Sequence, residues 1–139
     1  MRKALFILSI IAVFAAFGFG QRIEDGSRKT IGYISSSGTV ENGSRSTIGY
    51  INSDGRVENG SRSTLGYINK DGRVENASRS TIGYVSSSGT VENGSRSTIG
   101  YVNSNGRVEN SSRSTIGYAE GVDQRHAALF FFFFFRPNN

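Results

Sequence analysis

Apolar and polar positions follow one pattern that repeats along most of the chain. The pair Gly-Tyr recurs at a fixed interval of 17 residues between Gly32 and Gly117, and an internal period outranks every other sequence signal. Within each unit, Thr, Ile, Val and Tyr alternate with polar or small residues, which predicts short strands with two unlike faces. Five complete units span residues 23–107, and a sixth begins at Val108 and loses the pattern after Tyr118.

Each internal unit holds a turn that ends in glycine, as in Asn52-Ser53-Asp54-Gly55. The residues before the glycine vary from copy to copy whereas the glycine does not, so only this position needs a positive φ. The pattern is typical of a type I turn followed by a glycine bulge, and it closes a β-hairpin. The predicted structural turn residues are Gly38, Gly55, Gly72, Gly89 and Gly106.

The turn fixes the pairing of its two strands. Ile51 is predicted opposite Val57 and Tyr50 opposite Glu58. One face then carries Ile51, Val57 and the small Gly49, and the other carries Ile48 and Tyr50 with Glu58 and Arg56. A second connection, Asn42-Gly43-Ser44-Arg45, also looks like a tight turn, but serine or alanine replaces its glycine in other copies. The geometry of this second turn stays open.

The ends of the repeat predict how the units assemble. The chain opens with a lone second-half strand near Ile23 and ends with a lone first-half strand at residues 116–118. Pairing of these halves would remove both free sheet edges. We therefore predict an all-β fold, a five-fold repeat of short β-hairpins closed into a flower-like or propeller-like ring; the alternative is a linear β-hairpin solenoid.

The N-terminus is typical of an export signal. Arg2 and Lys3 precede an apolar run over residues 4–17, and small residues stand at Gly18 and Gly20, the pattern of a cleavable signal peptide. An uncleaved anchor is the alternative, but the run falls short of the ~20 residues that a spanning helix needs. We expect cleavage near Gly20/Gln21 and a periplasmic, surface or secreted protein. The predicted plan is a signal peptide (1–20), the repeats with the partial sixth (21–122) and a Phe-rich tail (123–139).

Charge and composition exclude several functions. The net charge is +5, two of these charges belong to the signal peptide, and the basic residues are spaced singly with a glutamate in each unit; this is not a nucleic-acid interface. The chain has no cysteine and one histidine, His126, so we expect no metal site and no cofactor. Catalysis needs unlike groups converging at one place, whereas this chain copies the same groups evenly; we expect no enzyme.

The repeated tyrosines are the strongest candidate for ligand binding. In a ring they would occupy equivalent positions, and aromatic rows beside Asn and Glu can stack on sugars, which makes a glycan the one partner class that the sequence suggests. The alternative, which we favour, is packing between hairpins with the hydroxyl at the rim. The residues are Tyr33, Tyr50, Tyr67, Tyr84, Tyr101 and Tyr118.

Two further polar patterns have a plain structural explanation. Each unit carries one glutamate and one arginine in fixed relation, such as Glu58 and Arg62; a carboxylate ring could bind a cation, but mutually paired rim charges are the more common arrangement. Each unit also spells Asn-x-Ser, as at Asn59. This is a glycosylation acceptor in a eukaryotic secretory pathway and otherwise simply a turn sequence.

The tail is the most apolar part after the signal. Residues 127–135 include the run Phe130 to Phe135, too short to cross a bilayer as a helix, and phenylalanine favours strands. We expect an extended segment inside the ring, under it, or between the subunits of a homo-oligomer, with contact to a membrane surface as a second choice. Left exposed, it would promote aggregation.

The chain resembles the bacterial exported proteins called 5-fold beta-flower proteins. The resemblance rests on the recurring Thr-Ile-Gly-Tyr-Ile/Val, the Gly-x-Val-Glu-Asn turn and strand, and the closing Gly-Tyr-Ala-Glu-Gly-Val that precedes Ala127 and the Phe run. It implies a petal-like arrangement of short β-hairpins and supplies no catalytic activity. The sequence therefore indicates an exported, non-catalytic structural or binding module, with glycan binding as the alternative and an enzyme third.

Overall fold

The computed structural model describes residues 20–136. The predicted signal peptide, apart from Gly20, lies outside the described residues. These residues form twelve short strands and a C-terminal helix. The strands are β1 (Gln21–Asp25), β2 (Thr30–Ile34), β3 (Thr39–Asn42), β4 (Thr47–Ile51), β5 (Arg56–Asn59), β6 (Thr64–Ile68), β7 (Arg73–Asn76), β8 (Thr81–Val85), β9 (Thr90–Asn93), β10 (Thr98–Val102), β11 (Arg107–Asn110) and β12 (Thr115–Tyr118).

The strands close into an antiparallel ring in which each strand pairs with its sequence neighbours and β1 pairs with β12. Five hairpins with a glycine turn (β2–β3, β4–β5, β6–β7, β8–β9 and β10–β11) make petals one to five. The pair of β12 and β1 makes a sixth, which we call the seam petal. The predicted ring closure by the two terminal half-units is confirmed, and the linear solenoid is excluded.

The predicted register is also confirmed. In the second petal Ile51 pairs with Val57, Tyr50 with Glu58 and Gly49 with Asn59. Between petals a bulge separates Val57 from Glu58 in the pairing of β5 with β6. Such a bulge raises the local twist and recurs at the junctions of the other petals.

The two kinds of turn share one hydrogen-bond pattern. In the first, Asn52 N donates to Arg56 O and Gly55 N to Asn52 O; in the second, Asn59 N donates to Ser63 O and Arg62 N to Asn59 O. The positive φ falls on glycine in the first turn, between 93° and 95°, and on arginine in the second, between 69° and 72°. The glycine of the second turn therefore lies at an ordinary position, which is why alanine and serine replace it.

The first turn needs glycine for a further reason. Gly55 O accepts a 2.8 Å hydrogen bond from Ile68 N of the next petal. A β-carbon on Gly55 would collide with the Ile68 carbonyl oxygen. The turn glycines thus let adjacent petals dock backbone to backbone at this end of the ring.

The Phe-rich tail fills the ring, but as a helix. An α-helix, α1 (Gln124–Ala128), continues as a π-helix (Leu129–Phe133) closed by a 2.9 Å bond from Phe134 N to Leu129 O. Asp123 caps its start by accepting from Arg125 N and His126 N. The extended conformation expected for this segment is wrong. We call residues 129–135 the plug.

Each phenylalanine of the plug faces the Gly-Tyr glycine of a different petal. A β-carbon on Gly32 would lie 2.9 Å from the Phe130 ring, and the other five pairs are closer. Going along the plug, each residue steps back by one petal. The pairs are Phe130 with Gly32, Phe131 with Gly117, Phe132 with Gly100, Phe133 with Gly83, Phe134 with Gly66 and Phe135 with Gly49. Contact with every petal is only available from the centre of the ring.

The π-helix suits this arrangement. An α-helix turns by 100° per residue, whereas six consecutive side chains that serve six petals need a smaller rotation. An i→i+5 helix carries more residues per turn and so turns less at each. Arg136 then satisfies the exposed end of the helix by donating from Nε and Nη2 to Phe132 O, at 3.2 and 2.9 Å.

We expect Gly55→Val to destabilise the ring, because a branched side chain must take a positive φ and strike the backbone of the next petal. The strain alone is of order 1–3 kcal/mol. The matched control is Gly60→Ala in the second turn, where Ala77 already stands in the next unit. Urea unfolding should show a large loss for the first variant and little for the second; equal stability of both would contradict the docking of the glycine turns.

We expect Phe130→Ala to lower the unfolding free energy by about 3–5 kcal/mol, the usual effect of emptying a buried phenylalanine site. Phe130 is 1% exposed. Phe133→Ala is the matched control, since Phe133 occupies the same kind of site but is only partly buried and should have a smaller effect. Unfolding free energies of the Phe130 variant within about 0.5 kcal/mol of the unmodified chain would show that the plug does not support the ring.

Candidate functional site

The outer face of the ring carries a tyrosine, a glutamate and an arginine at every petal; we call these side chains the belt. In the second petal Arg62 places its guanidinium carbon 3.6 Å from the centre of the Tyr50 ring and donates from Nη1 to Glu58 Oε1 at 2.8 Å. Tyr50 and Glu58 face each other across the two strands. The stacking recurs at all six petals, with distances of 3.6–3.7 Å.

The belt explains why an arginine occupies a left-handed turn position. For a residue with a side chain this conformation is unfavourable by about 1–2 kcal/mol. Stacking on an aromatic ring offsets about 0.5–1 kcal/mol of this at an exposed site, and the bond to the glutamate adds to it. Asn59 Oδ1 also holds the turn, by accepting from Ser61 N and Ser63 N. The repeated Asn-x-Ser is therefore part of the turn.

The glutamates of the belt are of two kinds. Glu58 contacts a second arginine, with Arg56 Nε 3.3 Å from Oε2, and accepts from Asn52 Nδ2 at 3.2 Å; its side chain is 4% exposed. Glu92 stands in a hairpin with Thr90 in place of that arginine, and its side chain is 25% exposed. The glutamate–arginine pairing predicted from the sequence thus holds a more buried glutamate where a second arginine is present and a more exposed one where threonine replaces that arginine.

The hydrogen bond from Arg62 lowers the pKa of Glu58 below the usual 4.5; the Asn52 amide and the Arg56 charge act the same way, against the raising effect of burial. Glu109 is in the same situation, with Arg113 as the main cause of its lowered pKa. Both carboxylates are held in the charged form. Their lone pairs are consumed by the belt itself, so they offer little to a bound cation.

The tyrosine row proposed for ligand binding lies in this belt. Tyr33, Tyr50, Tyr67, Tyr84, Tyr101 and Tyr118 are each half-buried, and each has an arginine stacked on its ring. The guanidinium covers a ring face that a sugar would use. The sequence offered a signal for this contact, since within the internal repeats an arginine follows each tyrosine at a fixed spacing.

A second place of interest is the mouth of the ring, the end that carries the glycine turns and receives helix α1. Gln124 Nε2 donates to Val102 O at 2.7 Å, and Arg125 Nη1 donates to Lys70 O at 2.9 Å. Two cavities remain beside the helix, of about 320 and 380 Å³. His126 and Asp123 border both.

The sequence predicted no role for His126; as the only histidine in a chain without cysteine, it served only as an argument against a metal site. It lies at the mouth between the two cavities, and burial lowers its pKa, partly offset by the Asp123 carboxylate. A lone histidine next to an apolar run gives no sequence signal for such a position. Among residues 20–136 no group of three His, Cys, Asp or Glu could hold a metal ion, and no helix in that range could span a membrane.

We expect the two belt carboxylates with a lowered pKa, Glu58 and Glu109, to make stability depend on pH. Because the pKa of folded Glu58 lies below that of an unfolded glutamate, its contribution is complete above about pH 4.5 and is lost as the pH falls through the folded value. Glu58→Gln should therefore lower stability at neutral pH and flatten the acid decline. Glu92→Gln, which removes a more exposed ion pair, should lower the unfolding free energy at neutral pH by less. Urea unfolding across the acid range checks this; parallel pH curves for the unmodified protein and the Glu58 variant would contradict it.

Comparison with known proteins relates the chain to one family. A family model described as 5-fold beta-flower protein matches residues 20–135, which include the whole ring and the plug. No curated protein and no solved structure matches the chain. The matched family is one of unknown function and not a known enzyme family. The match extends over most of the sequence, and the chain belongs to the 5-fold beta-flower protein family.

Proposed function

We propose that the protein is an exported, non-catalytic module of the bacterial envelope or secreted fraction, with a structural or binding role exercised at its surface. One observation carries this proposal: six phenylalanine rings occupy the centre of the ring, one against each petal. A β-barrel that holds a ligand or passes a solute needs an open interior. Here the interior is core, so interactions are left to the outer face and the two ends.

The lack of converging chemistry supports the non-catalytic part. The charged groups of the belt pair with each other at every petal, as with Arg62 and Glu58 at 2.8 Å. A catalytic site would instead hold unlike groups free to meet a substrate. Within residues 20–136, the mouth is where helix α1 breaks the symmetry of the ring, and charged groups outside the ion pairs border its two cavities.

The export part rests on the N-terminal sequence. Arg2 and Lys3, the apolar run and the small residues before Gln21 have the order of a cleavable signal. The repeat region begins directly after it, since β1 starts at Gln21. Cleavage at that point would release a chain that keeps every strand of the ring.

The glycan alternative receives less support, because each tyrosine of the belt already has an arginine on one ring face. Contact with a membrane surface or a second copy through Phe130–Phe135 stays a prediction. The burial of these rings weighs against it, since four of the six are no more than 8% exposed.

We expect the chain, expressed with its N-terminus in a bacterial host, to appear outside the cytoplasm with Gln21 as its first residue. N-terminal sequencing or mass spectrometry of the fractionated protein measures this. Replacing the apolar run by a shorter polar one is the control that should retain the chain in the cytoplasm. An uncleaved chain confined to the cytoplasmic fraction would contradict export.

We also expect a glycan screen to give no signal that depends on the belt. Tyr67→Ala is the informative variant, because Tyr67 is one of the six equivalent rings. A glycan that binds the unmodified chain and binds this variant with a lower stoichiometry, because one of six equivalent sites is gone, would restore the sugar-binding alternative. Binding that is equal in both would place any glycan contact elsewhere than the tyrosine row.

A further inference from the structure

The mouth of the ring is covered on one side only. The side chain of Arg125 lies over the turn glycine Gly72, that of Gln124 over Gly89 and that of Glu120 over Gly106. The first two petals differ: β-carbons built on Gly38 and Gly55 would meet, as their nearest neighbours among the described residues, only the backbone of Ile51 and Ile68. A sector of two adjacent petals is therefore left open beside helix α1.

His126 borders that sector and separates two cavities. The cavity of about 320 Å³ lies between His126 and the turns of the second and third petals. The cavity of about 380 Å³ lies between His126, the first petal and the strand start at Gln21. Each is within the usual size of a small-molecule site.

The first of these cavities combines an apolar floor with charges of both signs. Ile51 and Ile68 supply the apolar part, and Asp54, Asp123, Lys70, Arg125 and His126 supply the polar part. The ion pairs of the described residues use none of Asp54, Asp123 and Lys70. The belt glutamates are paired with arginines, whereas these three charges at the mouth are in no ion pair among the described residues.

The carboxylates keep capacity for a ligand. Asp54 uses Oδ1 to accept from Arg56 N at 3.0 Å, and Asp123 uses Oδ1 to accept from Arg125 N at 2.8 Å; a carboxylate has a second oxygen with its own lone pairs. Arg125 uses Nη1, which donates to backbone carbonyls of the third petal, and its Nε and Nη2 are further donors. Among the described residues that line the cavity, Lys70 and Arg125 are therefore the two permanent cations that can face a ligand.

We propose that this open sector binds a small zwitterion with an apolar side chain, an amino acid or a dipeptide. The ligand's ammonium group faces Asp54 and Asp123, its carboxylate faces Lys70, and its side chain rests on Ile51 and Ile68. The second cavity, which shares Asp123 and His126 with the first, gives room for a second residue. The proposal deepens the proposed surface-binding role by naming a ligand class, and it rests on that role.

The test is isothermal titration of the purified protein with leucine and with leucyl-leucine, which separates the amino acid from the dipeptide. Two half-ligands are the chemical controls: 4-methylpentanoate lacks the ammonium group, and 3-methylbutylamine lacks the carboxylate. We expect saturable binding of at least one zwitterion and at least a tenfold weaker response to both half-ligands. A ligand that lacks its ammonium group or its carboxylate leaves a charged group of the protein without an opposite charge.

Asp54→Asn should weaken zwitterion binding about tenfold, by removing one charge–charge contact. The substitution is compatible with the turn, because Asn105 takes the same position in the fifth petal and its Oδ1 accepts from Arg107 N at 3.0 Å. Asp71→Asn is the matched control: Asp71 stands at the same turn position in the third petal and borders neither cavity of the mouth. It should leave binding unchanged.

Three results would overturn the proposal: no saturable heat at about 10 mM of either zwitterion, ten times a millimolar Kd; equal binding of zwitterion and half-ligands; or equal loss in the Asp54 and Asp71 variants. Melting curves of both variants that match the unmodified protein show that the fold is intact. The export measurement is independent of these titrations, so failure of ligand binding and failure of export are told apart.

Discussion

The width of the ring is the constraint on which the rest of the structure depends. Eight strands make a barrel that wall side chains can just fill, and the diameter grows with the number of strands. Twelve strands leave a space that the isoleucines and valines of the wall do not reach across. The chain fills it with its own C-terminal segment, and glycine stands on the wall wherever a phenylalanine ring arrives. Glycine in a strand usually weakens it; here its missing side chain leaves the space that a phenylalanine ring of the plug occupies.

The outer surface follows from the same symmetry. In each hairpin the Gly-Tyr glycine and the aliphatic pair next to the glycine turn, such as Ile51 and Val57, face inward. The alternate positions face outward and carry tyrosine and glutamate, beside a half-buried Ile or Leu such as Ile48. Arginine from the adjoining turn bridges the tyrosine and the glutamate. Stacking and ion pairing at an exposed surface are each weak, but the belt repeats them at every junction, including the seam, where Arg28 stacks on Tyr118 and bonds to Glu24. The seam petal, whose two strands are joined by no covalent turn, thus has the same outer contacts as the other petals.

The sequence predicted the elements that depend on local periodicity and turn chemistry. The 17-residue period located the hairpins, the turn glycine set the pairing of Ile51 with Val57, and the two half-units indicated closure.

The helical plug was missed because strand preference is a local property of phenylalanine, whereas a strand presents side chains to two faces only. A helix can present consecutive residues to every petal. This demand is set by the assembled ring, and the tail shows it only as a count of six phenylalanines, which has no meaning until the six petals are known. The second turn shows the same limit: its Asn-Gly pair looks like the left-handed corner, yet the positive φ lies two residues later on Arg62, where contact with Tyr50 and Glu58 offsets its cost. The role of His126 could not be predicted either, because its position at the mouth depends on how the helix enters the ring.

The one-to-one correspondence between phenylalanines and petals has a consequence for how such a chain can evolve. Tandem repeats commonly change in number when whole units are duplicated or deleted. Here a change in the number of repeats also changes how many wall glycines need a ring, so it must be matched by a change in the phenylalanine run that follows the repeats. The repeat region and the phenylalanine run must therefore change together, and the number of phenylalanines in the run equals the number of petals.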